Sequence, residues 1–263
     1  MLQQVASELL KRYCDHFYNY RKREYIEPRL ELRDLTPEDD NIPQEEFYQL
    51  IVNGDEEQVI QSIQQMKTDM EQKKDELLRF GDLSACNLGT HLFQPLFHVR
   101  RGGKITVLPV ALGESEYQFV SDLKVWCDDR KIDMENEGVE LFLLRNMSRG
   151  KGVGFFEAGN FHPDFILWVL AHGIQHVTFI EPHGLLHEGP GSQKIQFHKR
   201  IKDVEQRLND PTVILNSFIL SWTRFPQLQW DSTQDELEDM HVLFMTDDRD
   251  RYIDKLFDRL QQI

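Results

Sequence analysis

The chain has 263 residues, 40% hydrophobic and 11% aromatic, enough for one sizeable core or one core with a smaller module. Its 30 Lys and Arg against 45 Asp and Glu leave a formal charge of −15, which argues against indiscriminate binding to nucleic-acid phosphates but leaves room for a local basic surface. No run approaches the roughly 18 apolar residues of a membrane span, and Cys14, Cys86 and Cys127 are too sparse for a disulfide framework or a metal cluster, so a soluble cytoplasmic protein is expected.

Residues 1–13 read as an amphipathic helix with Gln, Glu and Lys throughout and no signal-peptide pattern. Arg29-Leu-Glu-Leu-Arg33 alternates polar and apolar residues into a Thr36-Pro37 turn, a short strand. Asp55 and Gln58 suit the two ends of a capping box. Val59, Ile63, Met66 and Met70 follow at helical spacing, continued by Leu77, with Gly81 as the stop; this predicts one long helix. Residues 1–102 are therefore expected to be a mainly helical connector or scaffold.

A second region, 103–263, begins with a strand over 105–112, where Pro109 marks an edge or an end. The stretch 114–130 reads as a helix whose inward stripe carries Glu116 beside Val120, Leu123 and Cys127, an unusual place for an acid. A strand is expected over 139–144, then a basic glycine-rich loop over 148–154. Two apolar runs, 164–170 and 176–180, flank Ala171-His-Gly-Ile-Gln175 and predict a hairpin of buried strands. A helix capped near Ser192 follows, with Phe197, Ile201, Val204 and Leu208 in register, then a strand over 213–220. The tail adds a helix capped by Thr233 with Glu236, an apolar run over 241–245, and a closing amphipathic helix carrying Tyr252, Leu256 and Leu260. The fold class expected is α/β, with the order helix, strand, strand, strand, helix, strand at its centre.

Pro163-Asp164 opens one buried strand and Glu181 closes its partner, so the hairpin brings both acids to one edge of the sheet. Two carboxylates placed together are costly unless a cation neutralises them or one stays protonated. Oxygen-only ligation of this kind suits Mg²⁺ or Mn²⁺, which keep several waters and share their site with phosphate. Glu116 offers a third carboxylate, with Glu157 as its substitute or supplement. Arg145, Arg149 and Lys151, set among glycines just before the Asp164 strand, would approach a DNA backbone, and Asn146 is a secondary candidate. Zinc is disfavoured: His183 and His187 have no cysteine beside them, and His172 and His176 fall around a hairpin and are expected to face solvent.

The constellation and the αβββαβ order resemble the PD-(D/E)XK nucleases, which implies a restriction-endonuclease-like core that cuts phosphodiesters with Mg²⁺ or Mn²⁺. On that resemblance Asp164 is the central metal ligand, Glu181 the second, Glu116 the helix carboxylate, and the Pro182 carbonyl a further ligand. The sequence departs from the family at Glu181-Pro-His183, where histidine stands in place of the usual lysine. His183 would act as donor or base, with Lys194 or Lys199 on the next helix supplying positive charge. A wider resemblance rests on residues 141–156, on Gly159-Asn-Phe-His-Pro-Asp-Phe-Ile-Leu-Trp168, and on Phe179-Ile-Glu-Pro-His-Gly184. These are similar to the C-terminal end of DEAD/DEAH-box helicases related to type III restriction subunits. No phosphate-binding Gly-x-x-x-x-Gly-Lys loop and no Asp-Glu-x-His box is present. The resemblance thus implies the nuclease end of a helicase–nuclease, acting on DNA with a helicase motor as partner, in restriction or phage defence; a non-catalytic DNA-binding or docking module is the alternative.

Overall fold

The structure is a computed structural model that describes residues 17, 18, 21, 24, 25, 49–52, 57–72, 77–86, 96–100, 105–108, 111–146, 154, 155 and 161–261. The helix expected over 1–13, the strand over 29–33, the Asp55 cap and most of the glycine-rich loop, with Arg149 and Lys151, lie outside these residues, as does Glu157.

In the first part, β1 (Gln49–Val52) precedes α1 (Glu57–Gln72), and three strands follow: β2 (Leu77–Phe80), β3 (Leu83–Cys86) and β4 (Leu96–Val99). They form an antiparallel sheet in the order β2-β3-β4, and β1 pairs antiparallel with β5 (Ile105–Leu108). This corrects the single long helix: Leu77 belongs to a strand, and Gly81 turns a hairpin instead of stopping a helix. Phe80 pairs with Leu83 across the two-residue turn Gly81-Asp82, and Gly81 takes φ +59°, which glycine adopts without a Cβ penalty. Val59, Ile63 and Met66 do share one face, as their spacing predicts, and pack on Leu78, Leu83, Phe97 and Val107 in a small core. The described residues before position 103 therefore include a helix laid on strands, where a mainly helical scaffold is expected, and β1 pairs with a strand beyond that point.

The larger sheet lies between helices. Its elements are α2 (Glu114–Glu137), β6 (Glu140–Arg145), β7 (Phe165–Ala171), β8 (Ile174–His183), α3 (Gln193–Leu208), β9 (Val213–Ser221), α4 (Gln234–Asp239), β10 (Val242–Phe244) and α5 (Tyr252–Gln261). The strand order is β10-β9-β8-β7-β6; β6, β7 and β8 are mutually antiparallel, whereas β8, β9 and β10 run parallel. The expected order of elements is present, and the chain is mixed α/β. No helix among the described residues is long and apolar enough to cross a membrane.

Strand alternation divides the sheet into two buried faces. Leu141, Leu143, Phe165, Leu167, Ile180 and Phe218 pack with Phe119, Val120 and Leu123 of α2 and with Tyr252 and Leu256 of α5. Ile166, Phe179 and Leu215 point the other way, onto Phe197 and Ile201 of α3. Ser192 caps α3, its Oγ accepting from the Ile195 amide at 3.4 Å. The β7–β8 hairpin closes on His172 and Gly173 alone, at φ 52° and 80°, so the strands run longer than the flanking apolar runs suggest. Positive φ at both central residues is the primed turn whose twist matches paired strands. This turn fixes the register that places Phe165 opposite Ile180.

Candidate active site

One step beyond the Phe165–Ile180 pair, Asp164 meets Glu181. The Asp164 amide donates to Glu181 Oε2 at 3.2 Å, which ties the side chain of one acid to the backbone of the other. Glu181 is 5% exposed and shares the face of Phe179, towards α3. From the first turn of α3, Lys194 Nζ donates to Glu181 Oε1 at 2.8 Å, so both carboxylate oxygens of Glu181 are engaged. Asn146, just past β6, holds the Pro163-Asp164 step in place: its amide donates to the Asp164 carbonyl and its Nδ2 to the Pro163 carbonyl, each at 2.8 Å.

Electrostatically, Asp164 is the unusual member. Burial, then the charges of Glu181 and Glu116, push its carboxyl up to about 8, against the opposing pull of Arg145 and Lys194. A carboxyl in that setting either keeps a proton near neutral pH or takes a cation beside it. Two adjacent hard oxygen donors match the Mg²⁺ class of ion, which needs only one or two protein carboxylates and keeps its waters. Asp164 and Glu181 are therefore the residues that could hold a divalent cation.

Glu116 stands apart from that pair. It projects from the first turn of α2, where it accepts from the Gly113 amide and closes the turn. Arg145 Nη2 lies 3.3 and 3.4 Å from its two oxygens, and also donates to the Ala111 carbonyl at 3.3 Å. Arg145 pairs with Phe165 in the sheet and shares the α2 face, so the Arg145–Glu116 ion pair lies across the strand end from Glu181. Among the described residues no three His, Cys, Asp or Glu side chains converge closely enough to hold a metal, so the three-carboxylate cluster is not assembled. The Pro182 carbonyl accepts from Ser115 Oγ at 3.1 Å, which leaves one lone pair on that oxygen.

His183 lies two residues past Glu181 and is half-buried, its Nε2 3.8 Å from Glu188 Oε1. Burial and the Lys194 charge lower its pKa below the ordinary histidine value, against Glu181 and Glu188, so it is neutral at physiological pH. The positive charge on Glu181 comes from Lys194. Lys199 is exposed and lies five residues further along α3, about 140° round the helix, away from the site. His172 is exposed at the hairpin turn as expected; His176 is half-buried, with its Nδ1 inside and unpaired, because strand pairing extends past it to the turn. Sequence reasoning missed two participants, Ser115 and the contact of Gly154 with His162. Gly154 sits so close to the His162 ring that a Cβ there would lie 2.2 Å from Cε1. Neither has a signature in sequence, since each depends on a partner far along the chain or on an open backbone.

No protein-family model, curated protein or solved structure matches the chain.

Proposed function

We propose that this chain is the metal-dependent DNA endonuclease domain of a helicase–nuclease, with a restriction-endonuclease-like core over 103–263. The observation that carries the reading is the pairing of Asp164 with Glu181 at adjacent strand ends, with Lys194 bonded to Glu181. A divalent cation, Mg²⁺ or Mn²⁺, would be held by Asp164 and Glu181 with the remaining lone pair of the Pro182 carbonyl, and would supply polarisation of the scissile phosphate and a more acidic bound water. Lys194 keeps Glu181 oriented and offsets negative charge where the phosphate arrives, the task that the usual lysine has in the resembling family. His183, neutral and facing Glu188, accepts or passes a proton at its imidazole. Arg145 steadies Glu116 and brings one guanidinium to the strand end; Arg149 and Lys151 would contact the DNA backbone. A helicase motor is the partner, restriction or phage defence the setting, and the cytoplasm the compartment.

A second reading is a nuclease-like module that binds or docks without cutting. It is favoured by the neutral His183 at the lysine position and by the separation of Glu116 from the Asp164–Glu181 pair. Cleavage of single-stranded, duplex and forked DNA in Mg²⁺ or Mn²⁺ decides between them. The nuclease reading expects Asp164→Ala to abolish cutting and Lys194→Ala to slow it by about 10²–10³-fold, as for loss of one preorganised charge stabiliser. Its failure would be no cutting by the wild type with DNA binding intact. His183→Lys is expected to retain or raise activity.

A further inference from the structure

Lys194 leaves the first turn of α3 on a long, flexible stem, and its side chain is 32% exposed. An ion pair open to water to that degree fixes such a chain poorly. A second contact is present. While it donates to Glu181 Oε1, the Lys194 Nζ lies 5.9 Å from the centre of the Phe161 ring, within reach of its electron-rich face. Phe161 is itself held in place. It is 3% exposed, exchanges backbone hydrogen bonds of 2.7 and 3.2 Å with Phe155, and meets the Phe197 ring edge-on at 5.5 Å. Phe155 packs in turn on Phe179 and Phe197. Phe197 stands three residues beyond Lys194 on α3, so one side of that helix carries both the lysine and the ring that anchors Phe161.

We propose that Phe161 is a positioning residue for Lys194, its ring holding the ammonium against Glu181 at the candidate site. The contact stands on its own geometry; its consequence for cutting rests on the nuclease reading, to which it adds a residue. A π face attracts a cation without bringing another formal charge to a place where Asp164 and Glu181 already repel each other. An aliphatic side chain of similar bulk fills the same space without that attraction, so the aromatic identity of residue 161 carries the role. Phe161 also lies three residues before Asp164, so one short segment delivers both the acid and the ring that steadies the cation. In this way a helix lysine takes up the charge that a strand lysine would bring at position 183.

The test uses the full chain without divalent cation and trace labelling by acetic anhydride, with the rate at each lysine read by mass spectrometry. Residue 161 is replaced in turn by 4-fluoro-, 3,5-difluoro- and 3,4,5-trifluorophenylalanine, which keep the shape of the ring and progressively empty its face, and by Phe161→Leu. Expected is slower labelling of Lys194 than of exposed Lys199 in the wild type. The Lys194 rate should rise stepwise with fluorination, by about three-fold at the third fluorine and furthest in Phe161→Leu. Lys199, and Lys124 buried on its Asp128 partner, should not change, whereas a loosened core would speed Lys124 as well. The fluorinated series decides the matter even if Phe161→Leu fails to fold. A wild-type Lys194 as reactive as Lys199, or a rate flat across the fluorinated series, would overturn the proposal. A separate Mg²⁺ cleavage assay keeps the two ideas apart. Graded labelling without cleavage by any form supports the role of Phe161 and sinks the nuclease; cleavage with flat labelling does the reverse.

Discussion

Asp164 is held where two other acids raise its pKa, and this has a direct consequence for stability. Its folded value, about 8, lies above the roughly 4 of an unfolded aspartate, so the folded chain binds the proton more tightly. The stabilisation that proton gives is complete below about pH 4 and is lost as pH rises through 8. Asp164→Asn keeps the shape and removes the charge. Without divalent cation the variant should be more stable than wild type at pH 8 by roughly 5 kcal/mol at most, with the difference shrinking towards pH 4. Denaturant melts at the two pH values check this; a pH-independent difference would contradict it. Lys194 has the opposite role, since its removal leaves Glu181 buried without its cation. Lys194→Met should cost roughly 1–3 kcal/mol, below the full penalty of a buried pair because Lys194 is partly exposed, whereas Lys199→Met should stay within about 0.5 kcal/mol. At Gly154 the constraint is steric. Gly154→Ala must displace the His162 ring two residues before Asp164, at an expected cost of about 1–3 kcal/mol in chemical denaturation.

Among the elements, the β7–β8 hairpin governs the site most directly, because its register decides which residues face each other at the far end. A one-residue slip would carry Glu181 to the α2 face and leave an apolar side chain opposite Asp164. The turn that prevents this has histidine at its first central position, at φ 52°, a conformation asparagine adopts more easily. His172→Asn should therefore raise the melting midpoint, by about 0.5 kcal/mol in stability, without altering the site. No change, or a loss, would show that the left-handed conformation of His172 costs the turn nothing. Helix α3 contributes differently: its capped start brings Lys194 to Glu181, while Phe197 and Ile201 anchor it on the sheet.

At the scale of the molecule, the site depends on packing from both faces. Helix α5, at the end of the described chain, closes the α2 face with Tyr252, Leu256 and Leu260, all buried, and Tyr252 donates to Asp122 Oδ2 at 2.9 Å. Leu256→Ala should lower stability by about 2–5 kcal/mol, read from urea denaturation, although the residue belongs to neither acid's surroundings. A loss below 1 kcal/mol would mean that this face is not a single cooperative core. The small sheet with α1 has its own apolar cluster, yet Cys86 and Leu96 at its strand ends reach into the main core.

The sequence by itself determined the order of elements from α2 to β9 and the meeting of Asp164 with Glu181. Both follow from local rules: helical periodicity, unbroken apolar strands, a short hairpin connection and the two-residue alternation of a strand. The caps at Ser192 and Thr233 were legible for the same reason. The tertiary structure alone decided the rest. A helical stripe running through Leu77 reads the same whether the chain continues as helix or folds into β2, because a four-residue strand is stabilised by its partners and not by its own period. Which cation answers which acid was equally hidden. Glu116 and Glu181 are both acids near Asp164, but the sheet places them on opposite faces, so Arg145 takes one and Lys194 the other. That choice arises from side chains far apart in sequence and neighbours only when the sheet is closed.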